Sequence, residues 1–403
     1  MESALMREAV YIIAAQRTPI GSFLGTLTHH TACDLGEIVT QAALKAAQID
    51  PELIDSVIVG NVLSATAGMG IARQIALNSG LPEATTAHTL NMICGSGMKA
   101  VTDAYAAIKA GDADIILAIG TESMSNAGFI LDSSSRHRHK IGELGLKDEI
   151  QLNGLTDAFH HIPMGKTAEN LAEKYNISRE EQDDYALSSQ KKAALAQQSN
   201  CFQAEIIPIQ LENGNIFQQD EHIRANIDRT ALARLHPLFK KDGTVTAGNS
   251  SGINDGAAAL LIAGENAVKR HHLTPLAEII GYGQGGVAPE EMGLGVIPAI
   301  AQALERAETT LNQITQFELN EAFAAQIIAA QYELSEQHEI DLEEITAKTN
   351  LYGGAIALGH PLACSGTRIL TTLTHTLPSN HIGLASLCIG GGMGIATVIR
   401  KIT

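Results

Sequence analysis

Four short stretches carry side chains suited to covalent or acid–base chemistry. The first is "NMICGSGMKAV", residues 91–101, in which Cys94 precedes Gly-Ser-Gly and a helix-compatible run. A thiol at a helix N-terminus faces unsatisfied N–H groups and the positive end of the dipole, and both favour the thiolate and lower the thiol pKa. The competing reading is a small buried cysteine beside a tight turn. The second stretch is "NLYGGAIALGHPLACSGTR", residues 350–368. Its His360 sits in a Gly-His-Pro turn that Pro361 stiffens, so the imidazole could act as a general base of set orientation or simply hydrogen-bond within the turn. The third is "LCIGGGMG", residues 387–394, where Cys388 ends an apolar run and Gly390, Gly391 and Gly392 follow. Glycines there let a ligand approach backbone N–H groups able to bind an oxyanion. The spacing is not that of a dinucleotide fingerprint. The fourth is "NEAFAA", where Asn320 and Glu321 close an apolar strand, as suits a site at the carboxyl ends of strands or an ordinary sheet edge. Together, a cysteine and a histidine fit acyl transfer through a thioester, and the second cysteine is available for proton transfer.

The elements that must position these groups read as a duplicated α/β unit. "QAALKAAQIDPELIDSVIVGN" from Gln41 and "AQALERAETTLNQITQFELNE" from Ala301 align when Leu44 is set on Leu304, which puts Ala47 on Ala307 and Ile54 on Ile314. Both predict an amphipathic helix, a short turn and a strand. A second echo pairs "SGMKAV" at 96–101 with "SGTRIL" at 365–370, each followed by a strand-like run, "DIILAIG" and "IGLASLCIGGG". Between the halves, residues 124–253 are polar and loop-rich. They contain a helix whose capping box is Ser178 with Glu181. A loop-rich insertion of this kind is where ligand sites are commonly built.

Composition narrows the function classes. The 403 residues exceed one average domain, and the hydrophobic fraction of 45% supports a sizeable core. A net charge of -17 argues against binding nucleic acid or an anionic membrane. The basic run "RHRHK" at 136–140 is a local exception, read either as a solvated loop or as an anion contact. Five widely spaced cysteines without a C-x-x-C pair speak against a disulfide frame or structural zinc and fit a reducing compartment. "AVYIIAA" near the start is too short to span a membrane and is predicted as a strand. The expected setting is the cytoplasm.

These motifs, with "MGKTAENLAEKY" and "VTAGNSSGINDGAAA", resemble those of the thiolase family in order and spacing over nearly the whole chain. The resemblance implies the α/β thiolase fold, with two duplicated βαβαβαββ halves in a five-layered α-β-α-β-α arrangement and an inserted loop domain. The halves would be residues 1–123 with 254–275 and residues 276–403, and the loop domain residues 124–253.

The resemblance also implies roles. Cys94 would be the acyl-accepting nucleophile and His360 its base. Asn320 would hold a water in the oxyanion hole that His360 shares. Cys388 would move the α-proton, and the N–H groups of Cys94 and Gly390 would form the second oxyanion hole. Ser251, Met164, Leu155 and Phe239 would line the pantetheine path, Arg224 would lie near the adenine, and Met292 and Phe323 would border the acyl group. "RHRHK" would lie near a tetramer contact or a coenzyme A phosphate.

The sequence departs from the family at Pro163, where many short-chain members carry histidine and some degradative members resemble this chain. It departs again at Ala363 and Cys364, where glycine and alanine are usual. The expected reaction interconverts two acetyl-CoA with acetoacetyl-CoA and free coenzyme A. These thioesters are substrates, and neither a cofactor nor a metal is expected. A degradative 3-ketoacyl-CoA thiolase, a ketoacyl synthase and a silent coenzyme A or lipid binder are the rivals. A homotetramer or homodimer is expected.

Overall fold

The computed structural model describes residues 8–131, 135–138 and 140–402. Near-continuous apolar runs, buried on both faces, make the central strands, and amphipathic runs between them make the helices that cover those faces. The first half runs β1 (Val10–Arg17), α1 (Ala32–Ala47), β2 (Ser56–Gly60), α2 (Ile71–Asn78), β3 (Thr86–Leu90), α3 (Ser96–Ala110) and β4 (Ile115–Ser123). The chain then leaves the sheet and forms, among other elements, α4 (Met164–Lys174) and α5 (Arg179–Gln198). The predicted capping box opens α5, with Ser178 Oγ accepting from Glu181 N and Glu181 Oε2 accepting from Ser178 N. The chain returns as β5 (Asn254–Gly264), antiparallel to both β1 and β4. The second half runs β6 (Ala277–Gly286), α6 (Val296–Arg306), β7 (Ile314–Leu319), α7 (Ala324–His338), α8 (Ser365–Thr376), β8 (Ile382–Ile389) and β9 (Met393–Lys401).

The strand order is β7-β8-β9-β6-β1-β5-β4-β2-β3, with Gly21–Ser22 added against β5. The order is nearly palindromic about the β6/β1 junction, which is the duplication seen from the sheet. Among the described residues the two halves pair edge to edge there at Tyr11–Glu278 and Ile12–Ala277, with Leu276 N donating to Ile12 O. The partner of β7 that would match β3 is reduced to one bridge, Phe317 to Thr349.

Three apolar clusters give the layers. Leu35 and Val39 of α1 and Ile75 of α2 pack on Val57, Val59, Leu117 and Ile119. The intervening residues Ile58, Ile116 and Ala118 point the other way, onto Met98 and Val101 of α3 and Leu370 and Leu373 of α8, which also meet Leu387, Ile395 and Ile399 of the second half. Ile300 of α6 and Ile327 of α7 cover the outer face of the second half with Phe317, Leu384 and Val398. The layers are thus α, β, α, β, α. The central helices α3 and α8 are buried on two sides, and each such aliphatic side chain contributes roughly 1.5–3 kcal/mol by leaving water.

Candidate active site

Cys94 lies two residues before α3, on a turn held by its own backbone and two side chains. Asn91 Oδ1 accepts from Ile93 N at 2.9 Å, and Ser96 Oγ accepts from Met92 N at 2.8 Å while donating to Ile93 O at 2.7 Å. The turn is strained, because Ile93 is β-branched and holds φ at 49°. Burial pushes the Cys94 thiol up to about 12. The N–H groups of Gly390 and of Cys94 itself act the other way, and the Glu122 charge adds to the rise. The local tendency of a helix N-terminus towards a thiolate therefore does not prevail. Desolvation of the charge outweighs the helix N-terminus, so the sulfur is a thiol that needs a base.

His360 supplies a basic nitrogen. It is 6% exposed, and its backbone N donates to Asn254 Oδ1 at 3.1 Å. Ser365 Oγ donates to Pro361 O at 3.0 Å, which leaves that hydroxyl to accept from His360 Nδ1–H. The proton is thereby assigned to Nδ1. Nε2 keeps its lone pair, is buried, and has no protein partner among the described residues. Burial, with the Arg368 charge second, pulls the imidazole down to about 4 from 6.5, so it is neutral at pH 7. An unfolded chain would take up the proton that the folded chain refuses, so stability is lost as pH falls from 6.5 towards 4. This one group should cost about 2 kcal/mol between pH 7 and pH 5. Urea unfolding of His360→Asn should show a correspondingly shallower loss over that interval, and an unchanged slope would contradict the assignment.

Cys388, 2% exposed, is the penultimate residue of β8 and faces Gly394 of β9. Burial raises its thiol well above the usual range, and the Cys94 charge raises it further, so the two sulfurs feel each other. Gly391 and Gly392 turn the chain with φ of 84° and 83°, values that glycine adopts without strain. Asn320 follows β7, is 1% exposed, and leaves both side-chain polar atoms without a protein partner among the described residues. Its neighbour Glu321 is saturated by Ser189 Oγ, Tyr185 Oη, Asn350 Nδ2 and Ile356 N. That carboxylate ties α5 to the strand end that carries Asn320.

Cys94, His360, Cys388 and Gly390 line one cavity of about 370 Å³. The same wall carries Leu155, Met164, Arg224, Phe239, Ser251, Met292 and Phe323. Asn320 is not on that wall. The insertion docks on the second half next to it: Ser251 N and Oγ donate to Ala322 O, and Phe239 packs edge-on to Phe323 at 6.2 Å. Arg224 is exposed, and its guanidinium makes no hydrogen bond or ion pair among the described residues. None of the described residues of the run 136–140 is on the wall; Arg136, His137 and Lys140 are exposed, and His139 lies outside the described residues. The structure adds residues that the motifs did not single out, namely His222, Ser250 and Leu362 on the wall and Asn254 and Ser365 behind His360. Asn254 and Ser365 stood inside the quoted motifs, but only their contacts reveal what they hold. His222 had no pattern around it. A neutral base, two thiols, backbone N–H groups and a roomy apolar wall can carry out acyl transfer with carbon–carbon bond making or breaking.

Two family models match the chain: "Thiolase, N-terminal domain" over residues 10–266 and "Thiolase, C-terminal domain" over 273–401. The acetyl-CoA acetyltransferase of Escherichia coli (strain K12) is 48% identical over 396 residues, covering 97% of this chain and 98% of that protein. The crystal structure of human mitochondrial 3-ketoacyl-CoA thiolase in complex with CoA superposes with a TM-score of 0.92 at 43% identity, over 99% of both chains. The Bacillus anthracis acetyl-CoA acetyltransferase superposes with a TM-score of 0.92 at 40% identity, over 98% of this chain and 99% of that one. Among the described residues no helix is long and apolar enough to cross a membrane.

Proposed function

The chain belongs to the thiolase family, and from that premise we propose that it is an acetyl-CoA C-acetyltransferase, interconverting two acetyl-CoA with acetoacetyl-CoA and coenzyme A. The observation that carries this reading is one cavity lined by Cys94, Cys388 and a neutral His360 whose Nε2 is unpartnered. The name of the Escherichia coli relative supports it.

His360 Nε2 takes the Cys94 proton as the sulfur attacks the thioester carbonyl. The N–H groups of Cys94 and Gly390 receive the oxyanion, and the departing coenzyme A thiolate recovers the proton. Cys388 then gives its thiol proton to His360 Nε2; the second acetyl-CoA places its thioester oxygen against that Nε2–H and a water held by Asn320, and the Cys388 thiolate removes its α-proton. The carbanion then attacks acetyl-Cys94 and releases the Cys94 thiolate. The order follows from the chemistry: the carbanion formed on the second acetyl-CoA has an electrophile to attack only once Cys94 carries the acyl group.

The insertion, residues 124–253, binds coenzyme A in this reading, and the flanking halves, 1–123 with 254–275 and 276–403, supply the chemistry. Ser251, Met164, Leu155 and Phe239 flank the pantetheine arm, Arg224 meets the nucleotide end, and Met292 and Phe323 border the acyl group. The human relative's complex with CoA supports this use of the cavity. The exposed apolar residues Phe129, Leu131 and Leu146 of the Phe129–Leu131 and Leu146–Asp148 hairpin support assembly into a homotetramer or homodimer. Five free cysteines support a reducing, cytoplasmic setting.

A second reading, a degradative 3-ketoacyl-CoA thiolase, is favoured by Pro163 on the cavity wall. Coenzyme A-dependent cleavage of acetoacetyl-CoA should exceed that of a long-chain 3-ketoacyl-CoA by about tenfold or more in kcat/KM, a margin worth roughly 1.4 kcal/mol. A faster long chain would transfer the assignment to the degradative reading.

A further inference from the structure

The mechanism leaves one fully buried carboxylate beside the site unused. Glu122 is 0% exposed and is the penultimate residue of β4, facing Gly256 of β5. Cys388 holds the corresponding place on β8, facing Gly394. Glu122 accepts four hydrogen bonds, two at each oxygen. Oε1 accepts from Asn61 Nδ2 at 2.9 Å and Leu63 N at 3.0 Å; Oε2 accepts from Val62 N and Ala363 N, both at 3.1 Å. Asn61 and its neighbours belong to the first half, whereas Ala363 lies three residues beyond His360 in the second. Ala363 is held from its other side too. A methyl on Gly97 of α3 would lie 2.4 Å from Ala363 O, and one on Gly120 of β4 would lie 2.3 Å from it. Val62, Leu63, Leu362 and Ala363 form one apolar cluster against which Cys94 packs.

We propose that Glu122 is a positioning residue that docks the turn after His360 onto the half carrying Cys94. The inference rests on the reading of His360 as the base that serves Cys94. That geometry is set between two halves of the chain joined by few sheet contacts, so a buried tie at the turn itself is what keeps the two groups in register. No cation pairs with Glu122 among the described residues, and the tie is made by N–H dipoles. Glu149, Cys94 and Cys364 are the titratable groups that face it.

Glu122→Ala removes the tie. In acetoacetyl-CoA thiolysis its kcat should fall about 100-fold, the scale of a misplaced catalytic group, with KM for coenzyme A within about threefold. Glu122→Gln should recover to within about tenfold of the unsubstituted chain, because its amide oxygen can still accept from Val62 and Ala363. Its NH₂ would stand where Asn61 Nδ2 and Leu63 N now donate, so Asn61 must turn its Oδ1 inward to accept and Leu63 N–H loses its acceptor, which is why recovery stops short of complete. Gly120→Ala pushes the same turn from the opposite side and leaves Glu122 intact, so it should reproduce the kcat loss even where Glu122→Ala does not fold. Unchanged kcat in folded Glu122→Ala or Gly120→Ala overturns the proposal, as does a glutamine variant as slow as the alanine one. If the unsubstituted chain itself shows no thiolysis, the failure belongs to the proposed function and not to Glu122.

Discussion

Cys94→Ser should abolish acyl transfer while leaving the fold in place. Serine preserves the size of the side chain and can occupy the same turn, so the thermal midpoint should move by no more than a few degrees. The chemistry should not survive. The thiol is already held at about 12 by burial, and a serine hydroxyl starts several units higher and is the weaker nucleophile. His360, neutral and poorly basic in its buried setting, cannot offset that difference. Thiolysis of acetoacetyl-CoA should fall by at least about 10⁴-fold, the scale seen when a nucleophile acting with a base is removed. The measurement is turnover together with intact-protein mass after exposure to acetyl-CoA. A serine variant that turns over within tenfold of the unsubstituted chain, or one still acetylated at residue 94 at a comparable rate, would sink the mechanism.

Cys388→Ala separates the two halves of the reaction. Acetylation of Cys94 needs only the sulfur, His360 and the N–H groups of Cys94 and Gly390, none of which the substitution removes. The variant incubated with acetyl-CoA should therefore accumulate acetyl-enzyme, and exchange of label between acetyl-CoA and coenzyme A should stay within about tenfold. Carbon–carbon bond formation needs a base at the α-carbon. Without it, condensation and thiolysis should fall about 10²–10⁴-fold, the usual contribution of a positioned general acid–base group. Equal loss of exchange and condensation would contradict the division of labour. So would retention of both.

Local chemistry made much of the fold legible. The apolar, strand-like runs from Val10, Ile115 and Ile382 became β1, β4 and β8 at the expected places. The paired segments from Gln41 and Ala301 each form a helix followed by a short 3₁₀ turn and a strand. These features depend on neighbours within a few residues, and a single sequence carries that information. The missing strand beside β7 was not legible, because Thr349 keeps only one bridge to Phe317. That outcome depends on how residues 349–354 pack against α5 and the buried Glu321.

The sequence by itself determined which residue types were available: two thiols, an imidazole on a stiff turn, an asparagine at a strand end and glycines able to expose N–H groups. It also determined, through its duplicated apolar pattern, that a layered α/β core would form. Tertiary structure alone decided their meeting and their states. Cys94 and His360 are 266 residues apart in the chain and share one cavity because α3 and α8 lie together in the central layer. The charge states also reversed the local reading. The helix N-terminus argued for a thiolate, but the groups packed around Cys94 remove much of its water, and that outweighs the N–H groups of Gly390 and of Cys94 itself. A local dipole is set by a few residues of sequence, whereas desolvation is set by everything packed around the group, so only the folded chain determines which one prevails.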